Sequence, residues 1–583
     1  MTNSELHEPV SELVWRQRYR LTENGHAAEP NIEATWERVA LSLADVETAE
    51  RDAWRRRFYD ALHHFRFLPA GRILAGAGSH RPRTLFNCFA SGQLHDSVGG
   101  IFGALTEAML TLQAGGGVGI DFSPLRPHGT MAERGGTTAS GPVSFLHIWD
   151  HACGVMGSTR PRQGAMLAAL RCDHPDIEAF IDARRHANGL RHFTLSVLVT
   201  DAFLDAVERG ADFPLVFPLG ARKPAPGVAV IDRVLPGADG AQPCAVTRLV
   251  DARSLWNRLT AAAVETGDPG VLFIDRIERL NNLYYDEHIA TTNPCGEAPL
   301  PPHAACNLGS INLAAFVHDA YGAHPRLDLD AISTTAAVAT RMLDDVHEAS
   351  VFPLKLQEHA ARRARRIGLG VTGLADALAM LGLRYDSADA RQVAAAAMRT
   401  VCHAAYRAST LLAQEKGVFP AYRPEKYLEA PFIQELPPDI REGIRRHGIR
   451  NSHLTAIAPA GSISVAANNV SCGIAPIRLL HGHRRVAGAG RIAVRDFAFA
   501  EFRALIGEDA EPPAALAEAG TVGAAEQLAM MAALQPFVDQ AISNTVWLNP
   551  EASAEDCRTL YRDAYRLGLK GCAVYRPAAE PEH

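Results

Sequence analysis

Two short cysteine-bearing segments lie close together in this sequence of 583 residues. The first, Asn293–Glu297, reads Asn-Pro-Cys-Gly-Glu and places an amide, a thiol and a carboxylate at alternate positions. Alternate residues of an extended strand face the same side and stand about 7 Å apart. The spacing therefore predicts one surface that carries a hydrogen-bonding amide, a sulfur and a general base. The second segment, Cys306–Asn312, begins 11 residues after Cys295 (306 − 295), far enough to return on a neighbouring element.

The residues alone leave three other interpretations of Cys295 to weigh. A buried structural thiol is disfavoured, because a buried amide and carboxylate on either side are costly unless they bind something. A thiol protease needs a histidine partner, and His288 and His303 are near in sequence, but no cysteine-protease signature surrounds the thiol. Zinc binding by Cys295, His303 and Cys306 would use spacings of 8 and 3, which match no common zinc pattern.

The composition is that of an ordinary globular protein with 47% hydrophobic residues and a net charge of −7. It predicts neither nucleic-acid nor membrane binding. The polar, acidic segment Met1–Glu8 is unlike a secretory signal, so we expect a cytoplasmic location. Ten cysteines without a Cys-x-x-Cys pair disfavour a disulfide scaffold and a zinc ribbon.

Secondary-structure patterns divide the chain into a helical beginning and a long mixed region. Apolar residues recur at helical spacing over Ile32–Leu43 and Ala49–Leu62. From Phe67 onward, short apolar runs alternate with helical stretches and glycine clusters, which indicates an α/β fold.

Two segments could bring backbone N–H groups to a ligand. Leu112–Ser123 contains Gly115-Gly116-Gly117, but it lacks the Lys-Ser/Thr ending of a phosphate loop and precedes a strand, so a tight structural turn is an equal alternative. Ala458–Ser464 reads Ala-Pro-Ala-Gly-Ser-Ile-Ser after a strand-like stretch. It could form an anion site at a helix start, or a simple N-cap by Ser462 or Ser464.

Taken together, these segments resemble the ribonucleotide reductases, in particular the adenosylcobalamin-dependent branch. The finger segments Asn293–Glu297 and Cys306–Asn312 carry most of the resemblance. Further matching segments follow in family order: Arg66–Gly71, Phe86–Phe89, the glycine run into Phe122–Pro127, Val143–Leu146, Leu170–Ile177, Ile367–Asp376, Ala458–Ser464 and Lys570–Arg576.

The resemblance implies a fold and a division of the chain. The fold would be a ten-stranded α/β barrel with a central finger loop, preceded by a short helical N-terminal region. We expect the helical region at residues 1–60, the catalytic barrel at 61–577 and a short tail at 578–583.

The resemblance also implies catalytic roles for five residues. Cys295 would be the thiyl radical that abstracts the ribose 3′-hydrogen, in a site closed to stray reductants. Glu297 would be the base on the 3′-hydroxyl, and Asn293 would position the ribose hydroxyls. Cys88 and Cys306 would be the reducing pair, whose Cα atoms must come within about 7 Å despite a separation of 218 residues (306 − 88).

Substrate and effector residues follow from the same resemblance. The loop from Pro459 to Ser464 would hold the substrate phosphates through backbone N–H groups and Ser462. The loop around Arg160 and Arg162 could bind a dNTP effector, although Pro161 restricts it. The predicted substrate-binding residues are Asn87, Gly116, Gly117, Pro459, Ala460, Gly461, Ser462, Ile463 and Ser464.

The branch of the family is inferred by elimination and overall likeness. Val574 precedes Tyr575 where the oxygen-dependent branch has a tyrosine pair, and no glycyl-radical motif occurs near the C-terminus. Adenosylcobalamin remains as the expected cofactor. The Asp-x-His-x-x-Gly motif of base-off cobalamin binding is absent, so we expect the cofactor to lie on a shallow surface above Cys295. The alternatives are the large subunit of an oxygen-dependent reductase and a catalytically silent nucleotide-binding paralogue.

Partners and regulation complete the expectations. We expect a ribonucleoside diphosphate substrate, a homodimer and a possible dNTP effector. Cys572 is the last cysteine and has no near partner, so thioredoxin or another external reductant would reduce the active-site disulfide. The family often carries an N-terminal ATP-cone of roughly a hundred residues, whereas only about 60 residues precede the expected barrel here, so we expect no overall control by dATP.

Overall fold

The structure is a computed structural model. It describes residues 5–23, 26–80, 83–131, 138–158, 165–185, 189–220, 223–235, 240–486 and 490–577. No helix among these residues is long and apolar enough to cross a membrane.

Helices dominate the described residues. The first ten are α1 (Pro9–Arg18), α2 (Ile32–Ala44), α3 (Arg51–Leu62), α4 (Gly71–Gly76), α5 (Val98–Ala114), α6 (Pro142–Ser158), α7 (Ile177–Ile181), α8 (Asp201–Arg209), α9 (Ala252–Thr266) and α10 (Ile274–Arg279). The rest are α11 (Leu329–Ala349), α12 (Lys355–Ala364), α13 (Leu374–Met380), α14 (Ala388–Lys416), α15 (Pro424–Glu429), α16 (Pro431–Gln434), α17 (Pro438–His447), α18 (Gly461–Ala466), α19 (Phe497–Ile506), α20 (Ala524–Leu534) and α21 (Ala554–Arg566).

The strands are mostly short. The first eleven are β1 (Thr22–Glu23), β2 (His26–Ala27), β3 (Phe67–Pro69), β4 (Cys88–Ala90), β5 (Gly117–Asp121), β6 (Met166–Arg171), β7 (Phe193–Val199), β8 (Asp212–Pro218), β9 (Val230–Val234), β10 (Ala241–Asp251) and β11 (Gly270–Phe273). The rest are β12 (Thr291–Thr292), β13 (Pro299–Leu300), β14 (Ala305–Asn312), β15 (Val317–His318), β16 (Arg326–Leu327), β17 (Ile367–Thr372), β18 (His481–Val486), β19 (Gly490–Arg495), β20 (Thr545–Trp547) and β21 (Gly571–Tyr575).

Contacts divide the chain into two compact units. The first comprises the described residues up to Asn87 together with Ala305–Asn544, and the second comprises Cys88–Ala304 together with the described residues from Thr545 onward. The predicted division at residues 60 and 577 stays a prediction.

The first unit is built around strand β14, which is buried at every position. β17 runs parallel to it, with Asn307 opposite Ile367, and β3 runs antiparallel, with Ile311 opposite Phe67. The long helices α11 and α14 pack against each other, and α11 also packs on β14. The predicted helices at 32–43 and 49–62 correspond to α2 and α3, and a polar cap by Asn31 starts α2.

The second unit contains a mainly parallel sheet in the order β4-β5-β6-β7-β11-β21-β20. The pairs from β4 to β11 are parallel, whereas β21 is antiparallel to β11. β6 reads Met-Leu-Ala-Ala-Leu-Arg and is buried at all six positions, as expected for a parallel strand covered on both faces. Within this unit β4 and β20 are the end strands, so the barrel prediction depends on the family comparison reported below.

Candidate active site

The segment Asn293–Glu297 forms the turn of a short hairpin between β12 and β13, here named the finger hairpin (residues 291–300). The amide of Asn293 donates to the carbonyl of Ala298 at 3.1 Å, and the amide of Gly296 donates to the carbonyl of Asn293 at 3.0 Å. Gly296 has φ +91°, a left-handed conformation that favours glycine. The predicted extended strand is therefore wrong, because the chain reverses within these residues.

The turn separates the three side chains that an extended strand would have aligned. Asn293 and Glu297 are 1% and 2% exposed, whereas Cys295 at the tip is exposed. The expectation of a closed site around the radical thiol is not met by this structure. The arrangement instead presents one accessible sulfur above a buried amide and a buried carboxylate.

Cys88 completes a buried polar cluster with the base of the finger hairpin. The Asn293 side-chain amide donates to Cys88 Sγ at 3.1 Å, and Cys88 Sγ donates to Glu297 Oε1 at 3.6 Å. Cys88 begins β4 and is 3% exposed. Three residues that are up to 209 positions apart in sequence thus share one hydrogen-bonded site.

The orientation of the Asn293 side chain is fixed from both ends. Its Oδ1 accepts from the backbone amide of Ala298 at 3.0 Å, which leaves Nδ2 as the group that faces Cys88. An amide held in this way cannot rotate without breaking a buried hydrogen bond, a loss of about 1 kcal/mol.

Glu297 is the buried titratable group of this cluster. Burial raises its pKa above the usual value, and hydrogen bonds from Asn293 and Cys88 partly oppose that rise because they stabilise the carboxylate. Its Oε2 is buried and has no hydrogen-bond partner among the described residues. A carboxylate with one occupied and one unoccupied oxygen is suited to accept a proton from a bound hydroxyl.

The predicted glycines Gly116 and Gly117 lie where chain segments come close together. A β-carbon at Gly116 would stand 2.5 Å from the Phe89 ring, and one at Gly117 would stand 3.1 Å from Pro294 Cγ in the finger hairpin. A β-carbon at Gly119 would overlap the carbonyl oxygen of Thr292. The run therefore seats the finger hairpin on β5, a role that the sequence alternatives of ligand loop and tight turn did not include.

Cys306 belongs to the first unit, where it lies near the start of β14 and is fully buried. A β-carbon at Gly368 would stand 3.4 Å from its Sγ, so the sulfur packs closely against β17. The next residue, Asn307, donates from Nδ2 to the carbonyl of Leu343 at 3.0 Å.

The predicted phosphate segment forms the start of the short helix α18. Ala460 is the N-cap residue, has φ +53° and makes no side-chain cap, so the alternative of an N-cap by Ser462 or Ser464 is wrong. Ser464 is buried, and its Oγ lies 2.8 Å from Thr372 Oγ1. Ser462 is only half-buried, and its Oγ accepts from the Tyr19 hydroxyl at 2.6 Å. Pro459, Gly461 and Ile463 form the backbone around these two hydroxyls.

The remaining predicted residues are placed as follows. Asn87 is half-buried, and its Oδ1 has no hydrogen-bond partner among the described residues. Arg160 and Arg162 lie outside the described residues. Sequence reasoning missed Tyr19 and Thr372, since each meets the phosphate segment only through the fold. Thr372 lies in the matching segment Ile367–Asp376, but the resemblance gave it no role.

Family models match nearly the whole chain. Residues 86–575 match the ribonucleotide reductase barrel domain, and residues 6–82 match the ribonucleotide reductase all-alpha domain. The chain belongs to the ribonucleotide reductase family. This match confirms the predicted α/β barrel fold.

Curated relatives place the chain in one branch of that family. The vitamin B12-dependent ribonucleoside-diphosphate reductase of Mycobacterium tuberculosis is 36% identical over 97% of this chain and 78% of its own length. The enzyme of the same name from Thermoplasma acidophilum is 32% identical over 97% of this chain and 70% of its own length. The vitamin B12-dependent ribonucleotide reductase of Streptomyces clavuligerus is 26% identical over 92% of this chain and 60% of its own length. These relatives confirm the predicted branch.

Proposed function

We propose that this protein reduces ribonucleoside diphosphates to 2′-deoxyribonucleoside diphosphates, with adenosylcobalamin as the radical source. The names of its relatives specify that substrate class and a dependence on vitamin B12. The observation that carries the proposal is the cluster of Cys88 Sγ, Asn293 Nδ2 and Glu297 Oε1 beneath the exposed Cys295. One site then holds a radical thiol, a reducing thiol and a general base.

The position of Cys295 fits the cofactor. A radical source must reach the sulfur, and Cys295 is exposed at the tip of the finger hairpin whereas Cys88 and Cys306 are buried. Adenosylcobalamin, when bound, supplies the radical that takes the hydrogen atom from a thiol. Cys295 Sγ, once oxidised, takes the hydrogen atom from C3′ of the ribose and returns it at the end of the reaction. The bound nucleotide must cover the sulfur during turnover, because water and reductants would quench it.

Glu297 and Asn293 act on the ribose hydroxyls in this proposal. The free Oε2 of Glu297 accepts the proton of the 3′-hydroxyl, while Oε1 stays hydrogen-bonded to Cys88. The backbone amide of Ala298 holds the Asn293 side chain in place, and Asn293 in turn fixes the positions of the Glu297 carboxylate and the Cys88 thiol.

Cys88 and Cys306 supply the two electrons. The C2′–oxygen bond breaks, the departing hydroxyl takes a proton from Cys88 and leaves as water, and a C2′–hydrogen bond forms. The two thiols together lose two hydrogens and end as one disulfide, so atoms and electrons balance. This role requires Cys306, the buried thiol of β14, to meet Cys88 during turnover.

The finer predictions belong to the same proposal. The segment from Pro459 to Ser464, with Asn87, Gly116 and Gly117, binds the substrate phosphates and ribose. Thioredoxin or another external dithiol reduces the disulfide, the protein forms a homodimer, and a dNTP effector binds near Arg160 and Arg162. A cytoplasmic location suits these thiols, because the chemistry needs them reduced.

The test is reduction of CDP and ADP by the full chain with a dithiol reductant, with and without adenosylcobalamin. We expect deoxynucleotide formation only with the cofactor. Cys295→Ser should abolish turnover and leave nucleotide binding nearly unchanged, because it removes a role made only in the reaction. Turnover without the cofactor, or no turnover with any ribonucleotide, would overturn the proposal.

A further inference from the structure

The N-terminal segment is hydrogen-bonded along the whole length of α18 and the turn after it. The amide of His7 donates to Asn468 Oδ1 at 2.9 Å, and Asn468 Nδ2 donates to the carbonyl of Glu5 at 2.8 Å. Near the end of α18, the buried Ser11 hydroxyl donates to the carbonyl of Val465 at 2.6 Å. These contacts join positions more than 450 residues apart within the first unit.

A fourth hydrogen bond joins two side chains. Tyr19, the C-cap residue of α1, donates its hydroxyl to Ser462 Oγ at 2.6 Å. Tyr19 is 2% exposed, so this hydroxyl is desolvated. The contact is therefore buried on the tyrosine side and half-open on the serine side.

The framework behind Tyr19 holds it in place. Its backbone amide donates to the carbonyl of Trp15 at 2.9 Å, and the Trp15 indole donates to Thr35 Oγ1 at 2.9 Å. Thr35 in turn donates to Glu29 Oε2 at 2.7 Å in a buried pair. Helices α1 and α2 are thus tied together behind the hydroxyl that meets Ser462.

The direction of the Tyr19 hydrogen bond decides what Ser462 can do. A serine hydroxyl has one proton and two acceptor lone pairs. Since the Tyr19 proton occupies one lone pair, the Ser462 proton remains to be donated to a further acceptor. An anionic phosphate oxygen at the start of α18 is the acceptor that would gain most from it.

The second hydroxyl of the segment serves as an internal comparison. Ser464 is fully buried and is paired with Thr372 Oγ1, which also donates to the carbonyl of Ser471 at 3.0 Å. The Ser464 hydroxyl is therefore used in a buried hydrogen bond within the fold. Of the two serines in the segment, Ser462 is the one whose hydroxyl can still face a ligand.

We propose that Tyr19 is a positioning residue for the substrate phosphates, because it orients the Ser462 hydroxyl as a donor toward them. The inference deepens the proposed function and rests on it. It gives the N-terminal helical region a part in substrate affinity that is exerted through Ser462, although no residue of that region carries a recognisable catalytic motif.

The test is a double-mutant cycle with Tyr19→Phe, Ser462→Ala and the combined variant. Tyr19→Phe should raise the KM for CDP roughly three- to tenfold, the value of one oriented hydrogen bond, with kcat unchanged. Ser462→Ala should raise KM by at least as much. The combined variant should be no worse than Ser462→Ala alone, because Tyr19 acts only through that hydroxyl.

Tyr427→Phe is the matched control. Its buried hydroxyl donates to the carbonyl of Ser452 at 2.9 Å, so the variant loses a comparable hydrogen bond away from α18. It should lower stability and leave KM unchanged. A KM rise in Tyr427→Phe equal to that in Tyr19→Phe would mean that the effect is general destabilisation, and would overturn the inference.

Equilibrium binding separates a phosphate role from a structural one. Tyr19→Phe should weaken the binding of CDP and leave the binding of cytidine unchanged, since only CDP carries phosphates. Equal weakening of both ligands, or fully multiplicative effects in the cycle, would refute the role of Tyr19 alone. Failure of the unmodified protein to bind or reduce CDP would refute the proposed function instead, so the two failures are distinguishable.

Discussion

The carbonyl oxygen of Thr292 occupies the space that a β-carbon on Gly119 would need. This close approach lets the finger hairpin lie directly against β5, with Pro294 over Gly117. The hairpin itself has only two residues in each strand. Its position therefore depends on the surface that receives it.

Gly119→Ala should displace the finger hairpin, because the methyl group meets backbone that cannot rotate away. We expect a loss of about 1–3 kcal/mol in stability and a larger proportional loss of kcat, measured by thermal unfolding and CDP turnover. Gly103→Ala is the control, since nothing lies within 4 Å of its added carbon in α5. That variant should gain about 0.5–1 kcal/mol. Full activity in Gly119→Ala would show that the hairpin tolerates displacement.

The acid limb of the pH–activity profile should report Glu297. Burial raises its pKa above the usual 4.5, and a general base works only when it is ionised. Activity should therefore fall as pH decreases through a pKa that is higher than that of an ordinary glutamate. Asn293→Ala removes a hydrogen bond that opposes this rise, so the limb should move to higher pH.

The control for the pH experiment is Asn307→Ala, which also removes a buried amide hydrogen bond, in this case to the carbonyl of Leu343. It should lower stability without moving the limb. The measurement is kcat/KM for CDP across the pH range in all three proteins. An unchanged limb in Asn293→Ala would show that another group titrates.

The Asp376–Asp496 pair predicts an unusual effect on stability. Burial and the neighbouring Asp376 raise the pKa of Asp496 well above its usual value. The folded state then binds more protons than the unfolded state, so stability falls as pH rises from the usual value toward the raised one. Asp496→Asn keeps an oxygen to cap α19 and cannot ionise. It should be more stable than the parent at neutral pH, by about 1.4 kcal/mol per pKa unit.

Asp328 provides the opposite case for comparison. It also caps a helix, α11, but hydrogen bonding from Ala331 lowers its pKa. Its ionised form stabilises the fold, so Asp328→Asn should lose stability at neutral pH. Thermal midpoints at about pH 5 and about pH 8 distinguish the two caps. The interpretation of Asp496 fails if its replacement destabilises the protein at both pH values.

Sequence reasoning succeeded where a local pattern carries the information and failed where distance in sequence separates the partners. The α/β character and helices α2 and α3 follow from apolar spacing. The link from Cys88 to Asn293 and Glu297 spans more than 200 residues, and the residues alone offer no pattern for it. Only the family resemblance brought these residues together before the structure did.

The conformation of Asn293–Glu297 shows that a motif can single out a segment while its geometry is predicted wrongly. Alternate spacing suggested an extended strand, yet Pro294 and Gly296 are turn signals within the same five residues. The left-handed φ of Gly296 confirms which signal dominates. The role of Tyr19 could not be predicted for a different reason, since its contact with Ser462 spans 443 residues.

Cys572 should be dispensable for repeated turnover. It is buried, and burial raises its pKa, so it offers little of the thiolate that disulfide exchange requires. Cys572→Ala should keep the steady-state rate with thioredoxin as reductant. Cys88→Ser should lose steady-state turnover under the same conditions. A Cys572→Ala protein that completes one turnover and then stops would assign the exchange role to this residue.

The exposure of Cys295 also allows the proposed radical sulfur to be counted by chemical labelling. Eight of the ten cysteines are buried and Cys472 is partly covered, so Cys295 is the thiol most open to solvent. A mild alkylating reagent would therefore modify this residue first, and the number of groups incorporated would equal the number of competent sites in a preparation. The same accessibility makes the resting enzyme vulnerable, because peroxide would oxidise the sulfur of Cys295 to a sulfenic acid first.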